Sequence, residues 1–209
     1  MIGEWKSWHN NGQLILFANY KVVDESLLNI LSSTNSGQIF MLRYGPYKSW
    51  YENGNPQASG MYKDDLMDGE WNWFYENGQP STIEKYTAGQ LTQMKCFDST
   101  GKETGDFCSI SKPAMLKDFG NYREYIESNL LWPEEAAKKK IQGLVKVKFK
   151  VNKKGELKDL TIESAQPILK KAVEELFLNM KEWYPAVSHN RTVDFEDEME
   201  IPFYLKKKN

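Results

Sequence analysis

Four groups of residues are of types that carry chemistry, and their spacing limits each. Cys96 and Cys108 stand twelve positions apart, with no CxxC pair and no further cysteine beside them. A structural zinc site takes four closely spaced thiolate or imidazole ligands, so these two do not form one. They are equally compatible with a disulfide in an oxidising compartment and with two unpaired thiols. His9 and His189 lie far apart and outside any HExxH spacing, which places neither in a metal or catalytic role. Asp64-Asp65 and Glu196-Asp197-Glu198 gather carboxylates. Acid–base work needs two carboxylates converging on one cleft with separated pKa values. The first pair falls at a turn and the triplet on a strand, so both read as surface charge. No GxGxxG, GxxxxGK[ST] or GxSxG segment occurs, and Asp64 to Glu70 lacks the ligand order of a calcium-binding EF-hand loop. The expectation is a protein that is not an enzyme and takes no cofactor or metal.

The chain that positions these residues has 209 of them, of which 40% are hydrophobic and 13% aromatic. That suffices for a real core in one or two domains. With 27 basic against 29 acidic residues and a net charge of −2, it lacks the basic excess of a dedicated nucleic-acid binder. No apolar run approaches the roughly 18–20 residues of a membrane span, and no basic-then-apolar leader opens the chain. No membrane span is therefore expected in this chain, which reads as a mature form or as a piece of a longer, membrane-anchored parent.

The first half repeats itself. Gly3-Glu4-Trp5-Lys6-Ser7-Trp8-His9-Asn10-Asn11-Gly12 aligns without gaps with Gly45-Pro46-Tyr47-Lys48-Ser49-Trp50-Tyr51-Glu52-Asn53-Gly54 and with Gly69-Glu70-Trp71-Asn72-Trp73-Phe74-Tyr75-Glu76-Asn77-Gly78. His9 fills an aromatic place and so reads as a packing residue. A worn fourth copy ends in Phe97-Asp98-Ser99-Thr100-Gly101, and a degenerate unit around Gly37-Gln38-Ile39-Phe40-Met41 fills the gap between the first two. Asn-Gly suits both positive-φ positions of a type I′ hairpin turn. Lys63-Asp64-Asp65 and Asp68-Gly69 are expected to close the unit at its other end. Hairpins of this size are marginal alone and gain stability by stacking. Trp5, Trp8, Trp50, Trp71 and Trp73 are expected to form the core of the stack. The pattern over about residues 3–105 resembles MORN-type repeats, more closely their bacterial variant. That resemblance implies a stacked β-hairpin array acting as a binding or spacer module, in some bacterial proteins antitoxin-like.

Past residue 110 the character changes. Residues 1–110 hold 8 basic and 13 acidic residues, and residues 111–209 hold 19 and 16. Ser109-Ile110-Ser111-Lys112-Pro113 reads as a short linker. Phe119, Tyr122, Ile126 and Leu130 fall at helical spacing. Pro133 is placed to open a second helix, with Glu134 and Glu135 in its first turn and Lys138-Lys139-Lys140 in its last, in accord with the helix dipole. Val145, Val147, Phe149 and Val151 alternate with Lys146, Lys148 and Lys150, the signature of a half-buried strand. Asn152-Lys153-Lys154-Gly155 turns the chain into a partner strand over Leu157 to Glu163, with Leu160 and Ile162 inward. After Pro167, Ile168, Leu169, Ala172, Val173, Leu176, Phe177 and Met180 form a helix stripe. The last strand sets Phe195, Met199, Ile201 and Phe203 on one face and Glu196, Glu198 and Glu200 on the other, ready to pair with the lysine strand.

This helix–strand–strand–helix–strand order is that of a small α+β domain with an antiparallel sheet packed on two helices. Ile126-x-x-Asn129-Leu130-x-Trp132-Pro133-x-Glu135-Ala136, Ile141-x-Gly143-x-Val145-x-Val147-x-Phe149-x-Val151-x-x-x-Gly155, Trp183-x-Pro185-Ala186 and Ile201-Pro202-Phe203 resemble the C-terminal domain of TonB over about residues 116–206, with Trp132 in place of the family's usual Tyr. The resemblance implies protein binding in the periplasm. A domain of that family captures an extended segment of an outer-membrane TonB-dependent receptor by strand addition. Carried over, the contact edge is Val193 to Leu205, with Val193, Phe195, Asp197, Met199, Ile201 and Phe203 as contact residues and Asn129 in the second contact region. An exposed terminal strand also leaves a strand-exchanged homodimer open. The chain thus reads as two domains, 1–110 and 111–209. It is expected to be an envelope transport partner or, alternatively, an interaction scaffold whose repeats do the binding, with the C-terminal domain as a secondary unit.

Overall fold

In a computed structural model, which describes residues 2–22, 41–106 and 108–204, the chain divides into two compact units, 1–108 and 109–209. The first is one eight-stranded antiparallel sheet in sequential order: β1 Ile2–Trp8, β2 Leu14–Val22, β3 Met41–Trp50, β4 Pro56–Lys63, β5 Leu66–Phe74, β6 Pro80–Thr87, β7 Gln90–Phe97 and β8 Glu103–Gly105. This is the expected hairpin array. The degenerate unit around Gly37–Phe40 lies outside the described residues.

The turns differ in kind from those expected. At Tyr51–Asn55 the Tyr51 N–H donates to the Asn55 carbonyl (2.9 Å) and the Gly54 N–H to the Tyr51 carbonyl (2.9 Å). Gly54 alone takes positive φ, +86°. This is a three-residue loop closed by a left-handed glycine, and the same bonds recur at Tyr75–Gln79, His9–Gln13 and the worn Asp98–Lys102. Turns with two positive φ values in succession lie at the opposite ends of the hairpins, at Asp64-Asp65 (56° and 64°) and Ala88-Gly89 (49° and 80°). Gly69, at φ 71°, sits inside β5 and closes no turn.

The motif asparagine has another task. Asn53 Oδ1 accepts the Asn55 N–H at 2.9 Å, while its Nδ2 donates to the Glu76 carbonyl of the next turn at 2.8 Å. Asn11 and Asn77 repeat this bridge, to the carbonyls of Glu52 and Ser99. The motif tyrosines reinforce it: Tyr51 OH donates to the Phe74 carbonyl and Tyr75 OH to the Phe97 carbonyl. The repeat therefore encodes a ladder between successive turns as well as the turns themselves.

The tryptophans divide. Trp71 is fully buried, with Nε1 donating to the Met61 carbonyl (3.1 Å) and its ring against Gly60, where a Cβ would stand 2.2 Å from the ring. Tyr47, Tyr62 and Trp73 surround it. Trp5 and Trp8, at the matching places of β1, are more than half exposed at 57% and 55%. They do not belong to a core, contrary to expectation: among the described residues β1 pairs with β2 alone. Cys96 and Cys108 form a disulfide with Cα atoms 6.2 Å apart.

The second unit contains β9 Ser111–Lys112, β10 Met115–Leu116, helix α1 Tyr122–Asn129, α2 Glu134–Lys138, β11 Gly143–Val151, β12 Leu157–Glu163, α3 Pro167–Leu178, β13 Trp183–Tyr184, β14 Ala186–Ser188, β15 Arg191–Val193 and β16 Phe195–Phe203. The main sheet has the order β12-β11-β16; β10-β13 and β15-β14-β9 form two small sheets. The segment read as a linker is thus partly strand, since Lys112 and Ser111 pair with Val187 and Ser188. Alternation held for β11: Val145, Val147, Phe149 and Val151 are all buried to 1% exposure or less. They meet Leu169, Val173 and Phe177 of α3 and Tyr122 and Ile126 of α1 in one core. Phe119 lies ahead of α1 and is exposed. Pro133 caps α2, and Glu134–Lys138 and Glu135–Lys139 pair along it.

Candidate strand-docking edge

β16 ends the main sheet. It pairs with β11 in unbroken antiparallel register from Phe195↔Val151 to Phe203↔Gly143, and among the described residues no strand pairs its other margin. Two observations fix which backbone groups face outward. Pro202 has no N–H and is tolerated only where none is needed by the ladder. The Glu198 N–H donates to the Asp197 side chain at 2.9 Å, which β11 does not supply. Both residues are even-numbered, and strand backbone alternates in direction with period two. The N–H and C=O groups of Glu196, Glu198 and Glu200 therefore line the open margin, ending at Pro202.

The outer face carries the expected charge ladder. Lys146 meets Glu200 at 3.4 Å and Lys150 meets Glu196 at 3.6 Å, while Lys148 stands opposite Glu198 in register. Asp194, between β15 and β16, accepts from Lys150 Nζ at 2.7 Å and from the Lys153 N–H at 2.9 Å. The Lys150 hydrogen bond, reinforced by charge, holds its carboxyl below the usual carboxylate range.

Asp197 sits on the helix-facing side of β16. Its Oδ2 accepts from both the Tyr122 hydroxyl and the Arg123 guanidinium. These donors are placed by the start of α1, where the Asn121 side chain caps the helix by accepting the Arg123 N–H at 2.9 Å. Burial, with the Asp197 carboxylate beside it, pushes the Tyr122 phenol up to about 12. The carboxylate is thus fixed by two side-chain donors and one edge N–H.

The residues expected to make contact fall into three groups. Phe195, Asp197 and Met199 are half-buried on the helix-facing side of the edge strand. Ile201 and Phe203, at 6% and 4% exposure, belong to the core, so their side chains are not a contact surface. Val193 lies on β15 and pairs with Ala186, because the strand is interrupted at Asp194 and the terminal strand begins at Phe195. Leu205 lies outside the described residues. Asn129 is exposed at the end of α1, its Nδ2 donating to its own helix at the Tyr125 carbonyl (2.9 Å). The segment after it does reach β16: the Trp132 ring lies 6.1 Å from that of Phe203.

Tyr122 and Arg123 were not legible as partners of Asp197. Tyr122 fitted the helix stripe, and the strand it touches lies some 75 residues on. A second omission is Glu84, fully buried in the hairpin sheet. It accepts from Trp73 Nε1 (3.1 Å), Thr82 Oγ1 (2.8 Å) and Tyr86 OH (2.8 Å). Its signal was an acid on the same strand face as Thr82 and Tyr86.

The other residues of chemistry-bearing type are held as follows. Asp64 pairs with Lys21 and Asp65 with Arg43. His9 packs with Nε2 buried and lacking a hydrogen-bond partner. The His189 main-chain N–H donates to the Ile110 carbonyl at 2.6 Å. Among the described residues no group of three or more His, Cys, Asp or Glu could hold a metal ion, and no helix is long and apolar enough to cross a membrane.

Against known families, residues 128–205 match the Gram-negative bacterial TonB protein C-terminal, and residues 1–21, 43–64 and 67–88 match the MORN repeat variant. No curated protein and no solved structure gives a match. The two family matches, in this order, support a protein-binding role of TonB-like or MORN-repeat kind.

Proposed function

We propose that this chain is a non-enzymatic, protein-binding component of the Gram-negative cell envelope. Its C-terminal unit takes up an extended segment of an outer-membrane receptor as a fourth strand beside β16. The observation that carries this reading is the open margin of the β12-β11-β16 sheet. Three outward residues present a carbonyl each, Glu196 and Glu200 also an N–H, while the Glu198 N–H is held by Asp197; main-chain bonds of this kind contribute about 0.5–1.5 kcal/mol apiece. The Trp132–Phe203 contact supports a two-part site, because it joins the loop after Asn129 to the end of the edge strand. The Cys96–Cys108 disulfide supports an oxidising compartment such as the periplasm.

The test is an amide-resolved titration of the whole chain with an extended receptor-type peptide. Shifts are expected along Phe195–Phe203. Glu198→Pro puts a ring in place of an N–H that faces away from β11, so it is expected to weaken binding about tenfold while leaving the β11 ladder intact. Unchanged affinity in that variant, or shifts confined to residues 1–108, would end this reading. The latter result would favour the scaffold alternative, for which the exposed Trp5 and Trp8 of β1 speak.

A further inference from the structure

The β16 margin is not a neutral template, and its chemistry restricts what can lie on it. Glu196, Glu198 and Glu200 are exposed and project from one face. A guest strand beside β16 must set alternate side chains directly across from them, at the separation where opposite charges attract and like charges repel. Glu196 and Glu200 are partly balanced by Lys150 and Lys146, while for Glu198 only the register neighbour Lys148 stands across the ladder. The inner side of the same margin holds a second, independent restriction. Asp197, clamped by Tyr122 and Arg123, spends its other oxygen on the Glu198 N–H. The donor at the middle of the open margin is therefore already taken. A guest carbonyl has to displace a carboxylate from it, and that carboxylate is then left with one bond fewer. Natural sheet edges use charges in this way to refuse indiscriminate pairing.

We infer that the occupant is an extended segment carrying Lys or Arg at alternate positions, and that Asp197, on the opposite face, guards the edge by raising the cost of strand addition for every guest. This rests on the strand-addition reading above and gives its partner a chemical class. The cations face Glu196, Glu198 and Glu200 in the register that β11 already uses with its lysines, so the guest repeats on the open side the charge pattern that Lys146, Lys148 and Lys150 supply on the closed one.

The test uses the whole chain and three peptides matched in length to β16: Thr alternating with Lys, with Gln and with Glu. Each cross-strand pair of opposite charge is worth a factor of about 1.5 to 5. The Lys peptide is therefore expected to bind about tenfold tighter than the Gln peptide at low salt, and the Glu peptide weakest. The advantage is expected to shrink at high salt, since exposed charges are screened. Replacing Glu196, Glu198 and Glu200 together by Gln is expected to erase it. Asp197→Asn is expected to raise the affinity of the Lys and Gln peptides alike, several-fold; unchanged values overturn the guard. Lys and Gln peptides that shift β16 amides with equal affinity overturn the cationic preference and leave strand addition standing. If no peptide moves β16 amides, both fall together.

Discussion

The acidic and basic residues around β16 differ in what they contribute, and pH separates them. Asp194 holds Lys150 and the Lys153 N–H, and the Lys150 bond lowers its pKa on folding. A carboxylate depressed in the folded state adds stability that is fully present above its unfolded value, about 3.9, and is lost as pH falls through the folded value. The Asp194 side chain is 46% exposed, so the gain is small, as exposed pairs usually are. The stability of residues 109–209 is therefore expected to decline below about pH 4, and Asp194→Asn to flatten that decline, as read from urea midpoints across the acid range. An identical acid slope in the variant would contradict this. At this scale the sequence disclosed residue types and faces but not partners. Glu196, Glu198 and Glu200 were placed on one face by alternation alone, and their lysine partners by the matching alternation in β11. Asp197 was singled out as a contact, yet its clamp on Tyr122 and Arg123 joins a helix start to a strand some 75 residues away, and no local pattern encodes that.

At the scale of elements, period decided what could be foreseen. β11 and α3 follow strict two- and 3.6-residue patterns, and both formed with the expected faces buried. The end of β15 and the start of β16 escaped notice because Val193 and Phe195 continue one alternation across the break at Asp194. The turns escaped for a related reason. Asn-Gly fits a two-residue primed turn and a three-residue loop ending in left-handed glycine equally well. The pairing of Tyr51 with Asn55 depends on strand register, which the dipeptide does not set. Register also explains Gly60. Its backbone passes under the Trp71 ring, and an added Cβ would lie 2.2 Å from a ring atom. The ring has no room to retreat, since Tyr47, Tyr62 and Trp73 pack around it. Gly60→Ala is expected to cost about 2–3 kcal/mol by overpacking. Gly69→Ala is a useful contrast: nothing lies within 4 Å of its added Cβ, but φ is +71°, so only backbone strain of about 1–2 kcal/mol applies. Denaturation followed by tryptophan fluorescence checks the order. A smaller loss at Gly60 than at Gly69 would mean that the ring moves aside.

For the whole molecule, the two compact units differ in what stabilises them from within. Residues 109–209 bury one contiguous core of α1, α3 and the main sheet. Residues 1–108 rely on repeated aromatic contacts, the turn-to-turn ladder and one covalent tie. That tie, Cys96–Cys108, fastens the last residue of the first unit back onto β7 across a separation of twelve residues. Closing a loop of that length removes unfolded-state entropy worth about 3 kcal/mol. Its loss should fall on the hairpin array, because the disulfide lies wholly within it and β8 pairs with β7 only through Cys96↔Gly105 and Phe97↔Glu103 among the described residues. A single free energy of unfolding is consequently not expected to describe the chain. Cys108→Ser is expected to lower the unfolding free energy of the array by about 3 kcal/mol and to leave the amides of Val147 and Phe149 as protected as before, while those of Cys96 and Phe97 exchange faster. Hydrogen exchange resolved by residue makes the comparison directly. Equal loss of protection at β7 and β11 would show that the array and the TonB-like unit unfold as one cooperative block, and the binding edge would then depend on a disulfide that lies in the other unit.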